Sequence, residues 1–401
     1  MIVEIRGAGF HNKGAELMLR TTVSRLTGKY PDAQIAVEPA PGTPFHQRAK
    51  LGLKAIYPCY TQFGGWLRSL VIRSKALETL AFALTRATRP SDAGETLGLV
   101  DREDSHGLID IAGYAYGDKF PAVRTRIAAE AAASYGRRGR PVVFMPQMFG
   151  PFEDPSGAYW LRKAAEHATL IYAREPRSLE MLRSLLGEDP RLRLCPDITI
   201  ASLLPGEPID DTATPDYACV VPNERMQDSG KAEWGDTYVT RLRGAIERIE
   251  ASGIRPVLVI HTNDSGDRKI AEQLVADFGS HRVGLFDDPD PYELKRFLGG
   301  AALVVGSRFH SLVASLSLGV PAVALGWAHK YEMLAEDFGV PDLQHRGADD
   351  PSHLLSLVDR LLDADENARL RRTISERASA SRETIEAMWD EVLGLLAPTS
   401  S

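Results

Sequence analysis

Cysteine is scarce: Cys59, Cys195 and Cys219 are the only three among 401 residues, and no two form a CxxC pair. That excludes a disulfide framework and a paired-thiol zinc site, and it fits a reducing compartment. Long apolar runs are missing too. None approaches the roughly 18 residues that a membrane-crossing helix needs. The opening "MIVEIRGAGF" lacks the basic and apolar regions of a secretory leader. The expected location is the cytoplasm, at most peripheral to the inner face of the membrane. Basic residues are in deficit, with 47 Lys and Arg against 54 Asp and Glu and a net charge of −7. A protein that coats nucleic acid would be basic, so no nucleic-acid partner is expected. The ten histidines show neither HxxxH nor HExxH spacing, so no metal site is expected either.

What is present is an alternation of short apolar runs with helical periodicity, the signature of an α/β protein with parallel sheets. Strands are predicted at "IVEIR", "AQIAVEP", "LIDIAG", "PVVFMP", "TLIYAR" and "LRLCPD", and then at "YACVVP", "RPVLVIHT", "RVGLFD", "ALVVGS" and "PAVALG". Runs that are apolar throughout suit strands covered by helices on both faces. "LLPGEPIDDTATPD", residues 203–216, is rich in proline, acids and threonine and reads as a linker. The expected fold is two Rossmann-like domains whose parallel sheets face each other across a cleft. An N-terminal domain spans residues 1–204 and a second domain spans 216–375. A C-terminal helix in 376–401 is expected to pack back on the first domain.

Residues 66–89, "WLRSLVIRSKALETLAFALTRATR", break the pattern. They read as an apolar helix carrying Arg68, Arg73, Lys75, Arg86 and Arg89. Such a helix suits peripheral contact with an anionic membrane surface, and equally a helix packed on its own domain with its arginines reaching to water.

In parallel sheets, ligands bind outside the carboxyl ends of the strands, so the polar residues there are the candidates. The first strand leads into "GAGFHNKGAE". Its glycines at 7, 9 and 14 do not fit the GxGxxG dinucleotide fingerprint, and the loop is not GxxxxGK[ST]. It still offers backbone N–H groups to an anion, with Asn12 and Lys13 beside them. Further strands end at "AGYAYGDK" with Asp118, at Arg174, and at Asp197. "GSRFHSLVASLSLGVPAVALGWAHK" places Arg308, Phe309 and His310 at a strand-to-helix corner, with Ser307 as the expected N-cap, and Lys330 after the next strand. A helix N-terminus beside an arginine attracts phosphate or carboxylate. A bound dianion favours the imidazolium form of His310, which suits a general acid.

Taken in order, "GAGFHNKGAELML", "DIAGYAYGD", "PQMFGPF", "AREPRSLEML", "CPDITI" and "GSRFHSLVASLSLGVPAVALGWAHKYEML" resemble the polysaccharide pyruvyl transferase family. Phe309 stands where that family often has leucine, and Tyr114 and Tyr116 where it often has glycines. The resemblance implies a glycosyltransferase-B-like fold with residues 1–204 on the acceptor side and 216–375 on the donor side, phosphoenolpyruvate as donor, a glycan or lipid-linked sugar with two hydroxyls as acceptor, a pyruvate ketal as product, and no cofactor. It places donor-site residues at Arg174, Phe309 and His310, with Asp118 as the acidic member. On this reading His310 protonates the donor, Arg174, Arg308 and Lys330 hold its anionic groups, and Asp118 accepts a hydroxyl proton.

Two other readings stay open. One is a nucleotide-sugar glycosyltransferase of the same architecture, with Glu332 or Glu336 of "HKYEMLAED" on the nucleotide. The other is an inactive glycan-binding homologue. A nicotinamide dehydrogenase is disfavoured by the displaced third glycine.

Overall fold

The computed structural model describes residues 1–7, 9–58, 63, 66–67, 70–71, 74–87, 98–202, 215–228, 233–235, 237–262, 265–326 and 329–397. The chain forms two compact units. The first comprises Met1–Phe10, Met18–Pro196 and Ala387–Ser401, and the second His11–Leu17 and Asp197–Glu386.

The first unit contains β1 (Ile2–Arg6), β2 (Gln34–Val37), β3 (Lys54–Tyr57), β4 (Leu99–Asp101), β5 (Gly107–Asp110), β6 (Tyr114–Tyr116), β7 (Val142–Phe149), β8 (Leu170–Ala173) and β9 (Leu192–Leu194). They pair in the order β4-β3-β2-β1-β5-β7-β8-β9, with β6 added beside β7. Its helices are α1 (Lys13–Lys29), whose first residues belong to the second unit, then α2 (Phe45–Lys50), α3 (Lys75–Ala87), α4 (Val123–Gly136), α5 (Pro155–Ala165) and α6 (Pro176–Leu186). Leu108, Tyr135, Phe144, Phe149, Leu161 and Ile171 lie in its core.

The second unit contains β10 (Tyr217–Val221), β11 (Arg255–Val259), β12 (Gly284–Phe286), β13 (Val304–Gly306), β14 (Ala322–Leu325) and β15 (Gln344–His345), in the order β12-β11-β10-β13-β14-β15. Its helices are α7 (Thr237–Ala251), α8 (Ser265–Phe278), α9 (Pro291–Gly299), α10 (Phe309–Ser317), α11 (His329–Asp337) and α12 (Pro351–Leu362). The last helix, α13 (Ala364–Leu395), begins in the second unit, and from Ala387 its residues belong to the first. There Tyr30 Oη donates to the Leu393 carbonyl at 2.7 Å, and Tyr172 Oη to Glu391 at 2.6 Å.

Every strand pair is parallel. The order reverses between β1 and β5 in one sheet and between β10 and β13 in the other. Such switch points leave a crevice at the carboxyl edge where ligands bind. Four helices start from an acid–proline dipeptide: Asp154 before α5, Glu175 before α6, Asp290 before α9 and Asp350 before α12. Each carboxylate accepts a first-turn backbone N–H, and the proline fills the position whose own N–H would go unused.

A charge sits inside the first sheet. Glu4, in the middle of β1, accepts from Arg102 Nε at 2.8 Å, from Arg102 Nη2 at 3.0 Å and from Tyr135 Oη at 2.7 Å. Burial alone would push its carboxyl up, but Arg102 and Arg6 outweigh burial and hold it below the usual range.

Several expectations need adjusting. β3, β4, β6 and β15 were not predicted. Ser307 does not cap α10; Arg308 occupies that position, and the Ser307 hydroxyl pairs with Tyr238 at 2.8 Å. Residues 203–214, most of the expected linker, lie outside the described residues, as do Arg68, Arg73 and Arg89 of the basic segment. Among the described residues, no helix is long and apolar enough to cross a membrane.

Candidate functional site

The second unit's switch point lies between the ends of β10 and β13, and the turn after β13 is fixed from several sides. Ser307 N–H donates to the Val221 carbonyl at 3.1 Å. The Ser307 carbonyl accepts from Asn223 Nδ2 and from Tyr331 Oη, both at 2.9 Å. Arg308 donates to the buried Asp267 through Nε at 2.7 Å and Nη2 at 2.5 Å. The same carboxylate accepts the Glu224 N–H at 2.8 Å. Arg308 is therefore a clamp between α8 and the start of α10, with two of its nitrogens spent on protein.

His310 follows in the first turn of α10. Its imidazole lies against Gly14 at the start of α1, where an added Cβ would fall 2.2 Å from His310 Cγ and 2.3 Å from Nδ1. This explains the displaced third glycine: the residue is small to admit a histidine ring. The surrounding loop is secured to the second unit. Asn12 Oδ1 accepts the Gly14 N–H at 2.8 Å, and Asn12 bridges to Thr262. Lys13 is buried and donates to the carbonyls of Ile260, at 3.3 Å, and Asp288, with Asp287 at 3.7 Å. Burial lowers its pKa against the pull of those acids. Asn12 and Lys13 thus hold the loop that presents Gly14.

On the other side of the ring, His310 Nε2 stands 3.7 Å from Asp197 Oδ2. Phe309 meets His310 edge-on at 5.5 Å, and the Lys330 ammonium lies over the Phe309 ring at 5.1 Å. His310, Phe309 and Lys330 are therefore brought together; Lys330 sits in the first turn of α11 rather than in a loop. Sequence reasoning missed the pairing of Asp197 with His310, having placed Asp197 only as a polar residue at a strand end. It also caps, accepting from Thr199 N at 2.9 Å and Thr199 Oγ1 at 2.7 Å with its other oxygen.

The remaining candidates belong to the first unit. Arg174 is buried directly after β8 and before the Glu175 cap of α6. Asp118 accepts the N–H groups of Glu153 at 2.7 Å and Asp154 at 3.1 Å, one with each oxygen. It fastens the loop that leads into α5. Glu332, a candidate for the nucleotide reading, pairs with Arg346 at 2.5 Å.

Two buried histidines near this sheet's carboxyl edge stay neutral. Burial, then His310, Arg308 and Lys13, hold His261 well below the usual histidine range. Burial and Arg241 hold His345 at about 4. Arg241 Nη1 lies 2.7 Å from His345 Nε2. A guanidinium only donates, so Nε2 carries the lone pair and Nδ1 the proton. That proton points toward His353 Nδ1 at 3.4 Å and Asp349 at 3.8 Å. His345, Asp349 and His353 lie close enough to suggest a cation cage, but a protonated Nδ1 on His345 has no lone pair to give a cation.

Both histidines have folded pKa values below the unfolded value of about 6.5. The unfolded chain therefore binds more protons as pH falls through 6.5 toward 4, and stability is lost over that window. Two protons correspond to roughly 2–3 kcal/mol per pH unit near pH 5. Urea midpoints should fall steeply between about pH 7 and 5, and His345→Gln should flatten that dependence. A midpoint constant over the range would contradict the assignment.

Comparison with known proteins agrees with this architecture. S. aureus MnaA, solved with UDP, superposes with a TM-score of 0.61 at 12% identity, covering 100% of this chain and 98% of that one. The Neisseria meningitidis UDP-GlcNAc 2-epimerase bound to UDP-GlcNAc gives 0.60 at 12%, covering 99% of each. Anabaena HepE in complex with UDP-glucose gives 0.55 at 12%, covering 98% and 99%. These likenesses define the class as a fold of the glycosyltransferase-B type, with two Rossmann-like domains. The profile of the polysaccharide pyruvyl transferase family matches residues 12–329. The chain belongs to that family of transferases. A shorter match, 34% identical over 80 residues and 19% of each chain, links it to the amylovoran biosynthesis protein AmsJ of Erwinia amylovora.

Proposed function

We propose that this chain transfers pyruvate from phosphoenolpyruvate to a sugar with two free hydroxyls, forming a pyruvate ketal on a surface glycan or its lipid-linked precursor. The observation that carries the reading is His310, held at the N-terminus of α10 between a carboxylate and a cation-bearing aromatic. The donor needs a proton on its methylene carbon and an electropositive place for its phosphate and carboxylate. His310 supplies the proton. Lys330 and the helix N-terminus attract the anionic groups, and Arg174 joins them by the family resemblance. Arg308 and Lys13, committed to Asp267 and to backbone carbonyls, shape the site, and Asp118 acts as a loop fastener.

The steps balance without a cofactor. A proton adds to the methylene, a sugar hydroxyl adds to the resulting oxocarbenium-like carbon, phosphate leaves, and the second hydroxyl closes the ketal. Of the two hydroxyl protons released, one replaces the proton given by His310 and one departs with phosphate.

Thermal shift with phosphoenolpyruvate against UDP-glucose and UDP-GlcNAc tests the donor. A native-state ligand at about 100 times its Kd stabilises by roughly 2.7 kcal/mol. A rise with phosphoenolpyruvate alone supports the reading, and a rise with a UDP-sugar alone supports the nucleotide-sugar alternative.

The lipid-linked acceptor is favoured by α3. This helix is inverted: Leu77, Leu80 and Leu84 on its outer face are 45%, 57% and 58% exposed, while Glu78 on the inner face is 4% exposed. Beneath it lies a cavity of about 430 Å³ lined by Tyr57, Phe82, Glu78, Arg102 and Glu130 among others. Residues 66–89 carry five basic residues and one acid in a chain of net charge −7. An apolar stripe in a basic segment suits the surface of an anionic bilayer. The protein should float with phosphatidylglycerol vesicles and not with phosphatidylcholine vesicles. The triple change Leu77→Ser, Leu80→Ser and Leu84→Ser should abolish flotation. If that change instead dissolves a dimer and leaves flotation intact, the stripe joins two copies.

A further inference from the structure

A buried carboxylate and a buried lysine stand behind His310, and the ketal chemistry assigns a task to neither. Asp197 divides its two oxygens. Oδ1 caps the short 3-10 turn Ile198–Ala201 through Thr199, and Oδ2 faces His310 Nε2 at 3.7 Å. Lys295, on α9, is fully buried and donates to the Thr199 carbonyl at 2.5 Å, in the same turn. We infer that Asp197 is the positioning residue of His310, stabilising its imidazolium form, and that Lys295 tunes Asp197 from behind.

The charges around the ring decide the case. Arg308 of the same turn and Lys330 of α11 beyond Phe309 are cationic, Lys13 of α1 is basic with its charge disfavoured by burial, and His261 at the end of β11 is neutral. Like charges near an imidazole disfavour its protonated form. The nearby acids are largely spent elsewhere: Asp267 on Arg308, and Asp287 on Arg268 and Lys13. Asp197 lies within ion-pair reach of the ring. An opposite charge at this separation favours the charged form by about 1–3 pKa units. Lys295 pulls the other way. Burial pushes its pKa down to about 7 while Asp197 raises it, with Arg382 opposing. When charged, it withdraws part of the Asp197 field from His310.

Asparagine at position 197 separates the two tasks, since its carbonyl oxygen still caps Thr199 while the charge is lost. The test is the ring titration of His310 by NMR in the full-length protein without substrate, the signal being assigned by its loss in His310→Gln. Asp197→Asn should lower the midpoint by about one unit or more, and Lys295→Met should raise it. A purely structural turn moves neither. An Asp197→Asn midpoint within a few tenths of wild type overturns the inference. So does a Lys295→Met midpoint that is unmoved or lowered, whether or not Asp197→Asn folds. The inference rests on the proposed function only for the use of the proton. Because the titration needs no donor, a failed titration and a failed pyruvyl transfer are separate results.

Discussion

His310→Gln is expected to lower pyruvyl transfer by about 10²- to 10⁴-fold, the usual worth of a positioned general acid, while the fold survives. Glutamine keeps the approximate length of the side chain and its polarity, so Gly14 and Phe309 retain a neighbour. What is lost is a group that can carry a proton to carbon. The measurement is phosphate release from phosphoenolpyruvate with acceptor present, beside a melting curve. A variant that melts like wild type but turns over within about threefold of it would remove His310 from the chemistry.

Gly14→Ala should have the next largest effect. The new methyl would lie 2.2 Å from His310 Cγ and 2.7 Å from its Cβ. These atoms are near the backbone, so the ring cannot swing clear as the tip of a flexible side chain would. Either α1 or His310 must move, and a misplacement of about 1 Å can cost roughly 10²-fold in rate. Gly28, near the other end of the same helix, is the control, since nothing lies within 4 Å of its added Cβ. Gly28→Ala should be neutral or stabilising by up to about 1 kcal/mol. Equal activity in the two alanine variants would mean that the Gly14 contact is irrelevant to function.

The central apolar strands were legible in the sequence because they are buried on both faces. β10 and β13 read as unbroken hydrophobic runs and form the centre of their sheet. The strands that escaped notice are short or marginal: four residues in β3, three in β4 and β6, two in β15. All lie toward sheet edges or off the main path, where little burial is needed. The polar residues at strand ends were legible as a set, since a parallel sheet sends its carboxyl edge toward ligand. Their partners were not. Nothing local marks Arg308 as the mate of Asp267, Asp197 as the neighbour of His310, or Gly14 as the floor under its ring. Each is a long-range contact made by the fold. The outward leucines of α3 were legible only as a helix with basic residues; which face is wet follows from the burial of Glu78.

The central claim is that an imidazole in the second domain protonates the methylene of an enol phosphate. The direct measurement is the reaction in deuterium oxide with phosphoenolpyruvate and a panel of saccharides bearing two neighbouring free hydroxyls, followed by mass and NMR analysis of the product. A ketal whose methyl group carries one solvent deuterium, formed with equimolar phosphate and absent with His310→Gln, is the predicted result. A product enlarged by a whole sugar from a UDP-sugar, with phosphoenolpyruvate left intact, would contradict it.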